Sequence, residues 1–380
     1  MRIIGQGHAC GAQHVALEAA QEPVQLARGC SLGRAMKLEV AITRQLIGAQ
    51  GLQDRVDVAH GNMVPRRMDR PDLRVFSGSS HRGLAQEICD CLGIPLGRSH
   101  VVRFSNENLK IKIDENIREK DVFVVQTSAP PLSENIVELL ILLDALKHAS
   151  ARRVTAVLPY FPYARSDKKD EPRISITARL MADLVATAGA DRVLTVDLHS
   201  PQTQGFFSTP SDQLTAVPVL CERLKQGNLK DTVVVAADVG EAKDAGGFAK
   251  RLGLPIAIID KRRTGDDDKA HIRAVIGDVR GKHCLVVDDE IATGGTIFSA
   301  TDFLLAEGAL SVSAAVVHPV MSGDAYERLA SSKLERLLVT NTIPLDGKKP
   351  SQKIELLSVA PLLAEAITRI HDGRSVAEIF

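Results

Sequence analysis

The feature that most constrains this chain is an alternation that starts at Leu73 and runs almost to the C-terminus. Short runs of apolar, largely β-branched residues give way repeatedly to stretches whose apolar residues recur at helical spacing. "LRVFSG" (Leu73 to Gly78) opens the series; "DVFVVQT" precedes a helical pattern over Ser133 to His148, and "RRVTAVLPY" precedes Ser175 to Ala188. "DRVLTVDLH" follows, then "DTVVVAAD" with Ala242 to Leu252, "PIAIID", "HCLVVDD" with Thr296 to Glu307, and "SVSAAVVHP". Such an alternation predicts parallel sheets joined by crossover helices, an α/β fold. About nine strands are too many for one small doubly wound sheet, so two such domains are expected, 71–216 and 217–380. The boundary falls in the Ser/Thr/Pro-rich "FSTPSDQLTAVP" (Phe207 to Pro218), and the C-terminal tail is free to return to the first domain.

Residues 1–70 break the pattern. They hold a helical stretch around Arg34 to Ile47 and end in the linker-like "VAHGNMVPRRMDRPD". The expectation is a disordered N-terminal extension, or a translation start placed upstream of the functional one, since Met63 and Met68 stand just before the regular region.

Composition narrows the function classes. Lys+Arg and Asp+Glu both number 47, which gives no general argument for nucleic acid or an anionic membrane as partner, so anion binding has to be local. No apolar run approaches the roughly 18 residues of a membrane span, and the cytoplasm is the expected compartment. The six cysteines (Cys10, Cys30, Cys89, Cys91, Cys221, Cys284) lack a C-x-x-C pair and read as reduced thiols.

In open α/β sheets ligands collect at the carboxyl ends of strands. Five strand ends here carry polar loops that a core does not require: "PYFPYARSDKKD", "DLHSPQTQGFF", "AADVGEAKDAG", "IIDKRRTGDDDK" and "VVDDEIATGGT". In the last, Thr293 to Thr296 can offer successive backbone N–H groups at a helix start, which is a phosphate cradle in physical terms. An ordinary strand-to-helix turn is the plainer reading of "TGGT" alone. Asp288 and Asp289 shift the balance, because carboxylates beside an anion site make sense as acceptors for sugar hydroxyls or as holders of a divalent cation. Together they describe a site for a phosphorylated ribose.

"VVDDEIATGGT" resembles the ribose-phosphate loop of the type I phosphoribosyltransferase fold. "DLHSPQTQGFF" is more specific and is similar to the signature of ribose-phosphate diphosphokinases, the phosphoribosyl diphosphate synthetases; "RFSNEN", "PYFPYARSDKKD", "IIDKRR" and "NTIPL" resemble that family in the same order, over roughly Pro71 to Phe380. The resemblance implies two domains of phosphoribosyltransferase type, the first on the ATP side and the second on the ribose 5-phosphate side. It also implies transfer of the diphosphoryl group of ATP to the C1 hydroxyl of ribose 5-phosphate, giving phosphoribosyl diphosphate and AMP for nucleotide biosynthesis.

Residue by residue, the resemblance implies that Thr293, Gly294, Gly295 and Thr296 cradle the 5-phosphate, with Ala292 contributing backbone only, Asp288 accepting from the ribose hydroxyls and Asp289 supporting nearby. His199 and Asp238 match magnesium positions. Lys261 is the implied transition-state cation and Arg263 its neighbour on the ribose phosphate side, in what reads as a mobile surface loop, with Arg262 solvated. Phe104 stands where adenine stacks, in a loop with Asn106, Glu107 and Asn108, while Arg165 and Ser166 match a triphosphate-binding pair. Glu241 and Lys243 occupy ground that is usually small or differently charged. Assembly into a homo-oligomer, often a hexamer, with an adenine pocket completed by a neighbouring chain, is also implied. Two rivals remain. A silent regulatory paralogue would be expected to lose the cationic stretch or the metal histidine, and a phosphoribosyltransferase has no reason for "DLHSPQTQGFF".

Overall fold

The computed structural model describes residues 70–263, 270–345 and 351–379, all within one compact unit, Pro65–Phe380. Residues 1–69, with the Arg34 to Ile47 pattern and Cys10 and Cys30, lie outside the described residues.

Two sheets carry the architecture. The first takes β1 (Leu73–Ser77), β4 (Asp121–Val125), β5 (Arg153–Leu158), β6 (Arg192–Val196) and β7 (Ser211–Leu214), in that spatial order and parallel throughout. The second runs in the order β10 (Ala270–Ile276), β9 (Ile256–Arg263), β8 (Thr232–Ala236), β11 (His283–Glu290), β12 (Ser311–His318), β13 (Arg336–Thr340), β14 (Ile354–Leu357). Every pairing in it is parallel except β9 with β10. The β4 and β8 runs are buried along their whole length, as expected of strands covered on both faces.

Among the described residues eight α-helices pack on these sheets: α1 (Arg82–Leu92), α2 (Leu132–His148), α3 (Thr177–Thr187), α4 (Val217–Lys225), α5 (Ala242–Leu252), α6 (Gly295–Ala306), α7 (Ala325–Ser331) and α8 (Ala360–His371). Helices α2 and α3 cover one face of the first sheet and α6 and α7 one face of the second. A third core joins both sheets through α1, α4, α5 and α8, with Leu84, Leu220, Phe248 and Leu363 buried among Phe123, Val196, Val234 and Val287. The halves on either side of 216/217 therefore share apolar surface, which is why they group as one unit.

The C-terminal helix is pinned to the first sheet by ionic contacts as well. Asp121 at the start of β4 is fully buried and accepts from Arg153 Nε at 2.8 Å, with His371 Nδ1 2.8 Å from its other oxygen. Arg70 Nη1 donates to Thr368 Oγ1 at 2.8 Å.

Three local expectations change. Part of "FSTPSDQLTAVP" is structural, since Ser211–Leu214 adds an edge strand to the first sheet by pairing with Val193–Val196. "RFSNEN" caps an antiparallel hairpin of β2 (Ser99–Arg103) and β3 (Leu109–Ile113), a two-stranded sheet of its own that leans on the α2 side of the core through Ile111 and Ile113. Lys261 to Arg263 continue β9, paired antiparallel with Ile272, His271 and Ala270, so this part of the expected loop has extended, ladder-bound backbone.

Candidate active site

Strands β6 and β8 of different sheets and the long β11 end near one another, and the polar residues after each meet there. A cleft of about 280 Å³ is lined by Arg165, His199, Asp238, Glu241, Asp288 to Glu290 and Ile291 to Ile297. From the candidates it brings together Arg165, His199, Asp238, Asp288, Asp289, Ala292, Thr293, Gly294, Gly295 and Thr296. Phe104, Asn106, Glu107 and Asn108 do not line it. They form the hairpin tip, where Phe104 N–H donates to Asn108 C=O, Glu107 adopts φ +66°, and the Phe104 ring is 48% exposed. Ser166 also stays off the cleft, its N–H donating to Tyr163 C=O. The side chains of Lys261 and Arg263 lie outside the described residues.

The cradle has a strict local cause. Gly294 is the N-cap of α6 with φ +72°, and a Cβ there would sit 2.2 Å from the Phe298 ring, so neither the dihedral nor the space admits a side chain. The Ala292 carbonyl accepts from Ser322 N–H and the Thr293 carbonyl from Arg328 Nη1, both at 3.0 Å, which tie the loop down from behind. No side chain caps α6, and the first N–H groups of a helix have no partner within it. The result is a rigid, electropositive turn beside two carboxylates. Arg328, which also lies over the Phe298 ring at 5.3 Å, escaped the sequence reading because it is 35 residues away.

The carboxylates are not equivalent. Burial pushes Asp288 well above the usual carboxylate range, and Asp289 and Glu241 push in the same direction. Burial also raises Asp289, but the hydrogen bond and charge of His199 outweigh it and leave Asp289 below its ordinary value. His199 Nδ1 lies 2.6 Å from Asp289 Oδ2, and that bond raises the imidazole in turn. Donation from Nδ1 leaves Nε2 as the ring nitrogen able to ligate a cation, the arrangement in which an outer carboxylate fixes the tautomer.

Glu241 gains a location. Its N–H donates to Asp238 Oδ1 at 3.2 Å, and its carboxylate forms a trio with those of Asp288 and Asp289, one oxygen of each lying within 4.8 Å of the others. Burial, then Asp289 and Asp238, push it up to about 7. His199, Glu241, Asp288 and Asp289 also wall a second cavity of about 330 Å³, which runs back beside Lys243, Phe248 and Arg251 of α5.

A glycine turn with free helix N–H groups, a carboxylate pair and an oriented histidine at the strand ends of two α/β sheets make this a candidate site for phosphorylated ligands in an α/β enzyme. Comparison with known proteins narrows the class. Residues 73–189 match the family model of the N-terminal domain of ribose phosphate pyrophosphokinase, and residues 268–380 that of the phosphoribosyl synthetase-associated domain. A ribose-phosphate pyrophosphokinase of Clostridium acetobutylicum is 48% identical over 311 residues, covering 81% of this chain and 97% of the relative. One from Deinococcus radiodurans is 49% identical over 316 residues, covering 82% and 98%. The crystal structure of phosphoribosylpyrophosphate synthetase from Mycobacterium smegmatis superposes with a TM-score of 0.75 at 41% identity, over 80% of this chain and 99% of that one. The chain belongs to the ribose-phosphate pyrophosphokinase family. No described helix is long and apolar enough to cross a membrane.

Proposed function

We propose that the chain transfers the diphosphoryl group of ATP to the C1 hydroxyl of ribose 5-phosphate, giving phosphoribosyl diphosphate and AMP. The observation that carries this reading is the convergence of the Gly294 cradle, the Asp288–Asp289 pair and the His199–Asp289 bond in one cleft with Arg165 on its wall. Thr293 to Thr296 bind the 5-phosphate through backbone N–H groups. Asp288 accepts from the ribose hydroxyls, and Asp289 holds His199 in the ligating tautomer. The donor set suits a hard divalent cation, here Mg²⁺, since it combines carboxylate oxygens with a single imidazole nitrogen. His199 and Asp238 would hold it, and bound there it would neutralise charge growing on the phosphoryl oxygens.

Arg165 and Ser166 take the triphosphate and the Phe104 hairpin the adenine. The family resemblance brings with it a homo-oligomer in which a neighbouring chain completes the nucleotide pocket, and the exposed Phe104 ring is consistent with such a pocket. The division into an ATP side, 71–216, and a ribose 5-phosphate side, 217–380, in a cytoplasmic enzyme belongs to the same proposal. Lys261, near the end of β9, supplies the transition-state cation, and Arg263 contacts the ribose phosphate side.

Purified protein with Mg²⁺, ATP and ribose 5-phosphate should form AMP and phosphoribosyl diphosphate in equal amounts. Lys261→Ala should remove most of the rate at an unchanged melting temperature. Absence of AMP across nucleotides and phosphate concentrations would overturn the synthetase reading, whereas a fully active Lys261→Ala protein would overturn only the role given to that lysine.

A further inference from the structure

Glu290, the last residue of β11, follows the two aspartates on the wall of the cleft. Its carboxylate is 7% exposed and has two partners from the other sheet's side. Tyr160 donates its hydroxyl to Glu290 Oε2 at 2.8 Å, and Arg165 Nη1 lies 3.2 Å from Oε1. The tyrosine is itself held firmly. Its ring packs 4.8 Å from that of His318, the residue opposite Glu290 on β12, and its backbone N–H donates to Thr127 Oγ1. Arg165 is the loose member, 65% exposed, with Glu290 its one ion-pair partner among the described residues.

We infer that Glu290 is a positioning residue, which holds the Arg165 guanidinium at the mouth of the cleft so that its remaining N–H groups are free for the triphosphate. The physical case rests on asymmetry. A long, exposed arginine loses much rotamer entropy when it binds an anion, and a buried carboxylate anchored by a tyrosine removes part of that cost beforehand. The guanidinium has five donors, so one shared with Glu290 leaves a full edge for phosphate oxygens. A bare carboxylate at that depth would instead repel ATP; the arginine it holds neutralises that charge and turns N–H donors toward the cleft. The inference rests on the reading that Arg165 contacts ATP.

The test is a double-mutant cycle on the intact enzyme, with ATP binding followed by calorimetry and by steady-state kinetics. Glu290→Gln should raise the ATP KM about three- to tenfold, the range for a half-exposed charge-assisted bond, with kcat and the ribose 5-phosphate KM within about twofold. In an Arg165→Ala background the same substitution should no longer raise the ATP KM, and should leave it unchanged or lower it, because the group it positions is gone and only an unpaired carboxylate is being neutralised. An ATP KM that is unchanged or lowered in Glu290→Gln, or an effect that persists undiminished in Arg165→Ala, overturns the inference; a merely structural carboxylate would give the latter. If Glu290→Gln does not fold, Tyr160→Phe serves, since it removes the anchor but keeps both charges; a smaller rise in ATP KM is expected and no rise overturns the inference. If Arg165→Ala by itself leaves ATP binding intact, the role of Arg165 in the proposed function fails first and the inference with it.

Discussion

His199 Nδ1 and Asp289 Oδ2 stand 2.6 Å apart, a hydrogen bond that joins the end of β6 in one sheet to the end of β11 in the other. The pair fixes which ring nitrogen remains for a cation and holds the Asp289 carboxyl below its ordinary value.

Removing the carboxylate should therefore be visible on the histidine. In the metal-free protein the His199 ring titrates above its ordinary value because of the Asp289 bond. In Asp289→Asn its titration, followed by NMR, should move to lower pH. In the same variant Mn²⁺ affinity should fall about 10- to 100-fold, the usual effect of losing a ligand's outer partner. A His199 titration that does not move would mean that the bond is absent in solution.

Gly294→Ala should damage both fold and site. The new methyl meets the Phe298 ring at 2.2 Å and the backbone stays at φ +72°. A loss of about 1–3 kcal/mol is expected by thermal or urea unfolding, with a raised ribose 5-phosphate KM. Gly294→Ala combined with Phe298→Leu relieves the clash but not the dihedral, so stability should return only in part.

The Asp121 contact should carry much of the docking of α8. Asp121→Ala leaves Arg153 and His371 facing a buried gap and should cost about 3 kcal/mol or more in urea unfolding. Hydrogen exchange should speed up first over Ala360–His371.

His318 gives a pH dependence with a definite sign. Burial pushes its imidazole below the ordinary value, opposed by its bond to the Asp197 carbonyl. That carbonyl can only accept, so Nε2 carries the proton, and the neutral ring takes Thr342 Oγ1 as partner on Nδ1 at 2.9 Å. The unfolded chain binds a proton that the folded one refuses, so this contribution to stability is complete above about pH 6.5 and is lost as pH falls through it, by at most about 1.4 kcal/mol per pH unit. His318→Gln, compared with the parent by urea unfolding between pH 7.5 and pH 5, should show a shallower decline.

Much of this was legible in one dimension. The α/β class followed from apolar runs of strand length set between helical periods, because strands covered on both faces must be apolar throughout. The helix over Ala242–Leu252 lies where its spacing places it, and "DDEIATGGT" announced two carboxylates at a strand end followed by a glycine turn into a helix, which is where β11, Gly294 and α6 stand. The β2–β3 hairpin was missed. Its strands are half exposed and short, and their pairing depends on a turn in which Glu107 takes a positive φ that few sequences signal. The antiparallel β10 was missed for a related reason, since an edge strand shows its pattern only against its partner.

What the chain determined by itself was local: which segments are strands or helices, and where a glycine turn leaves helix N–H groups free, both consequences of neighbouring residues and backbone geometry. Which distant residues share that site was decided by the tertiary structure. Asp289 reaches His199 across 90 positions and Glu290 reaches Tyr160 across 130, and charge at such separations has meaning only once burial has removed the water between. Glu241 makes the same point. It was unaccountable in sequence and acquires a location only where the folded chain places it against Asp288 and Asp289.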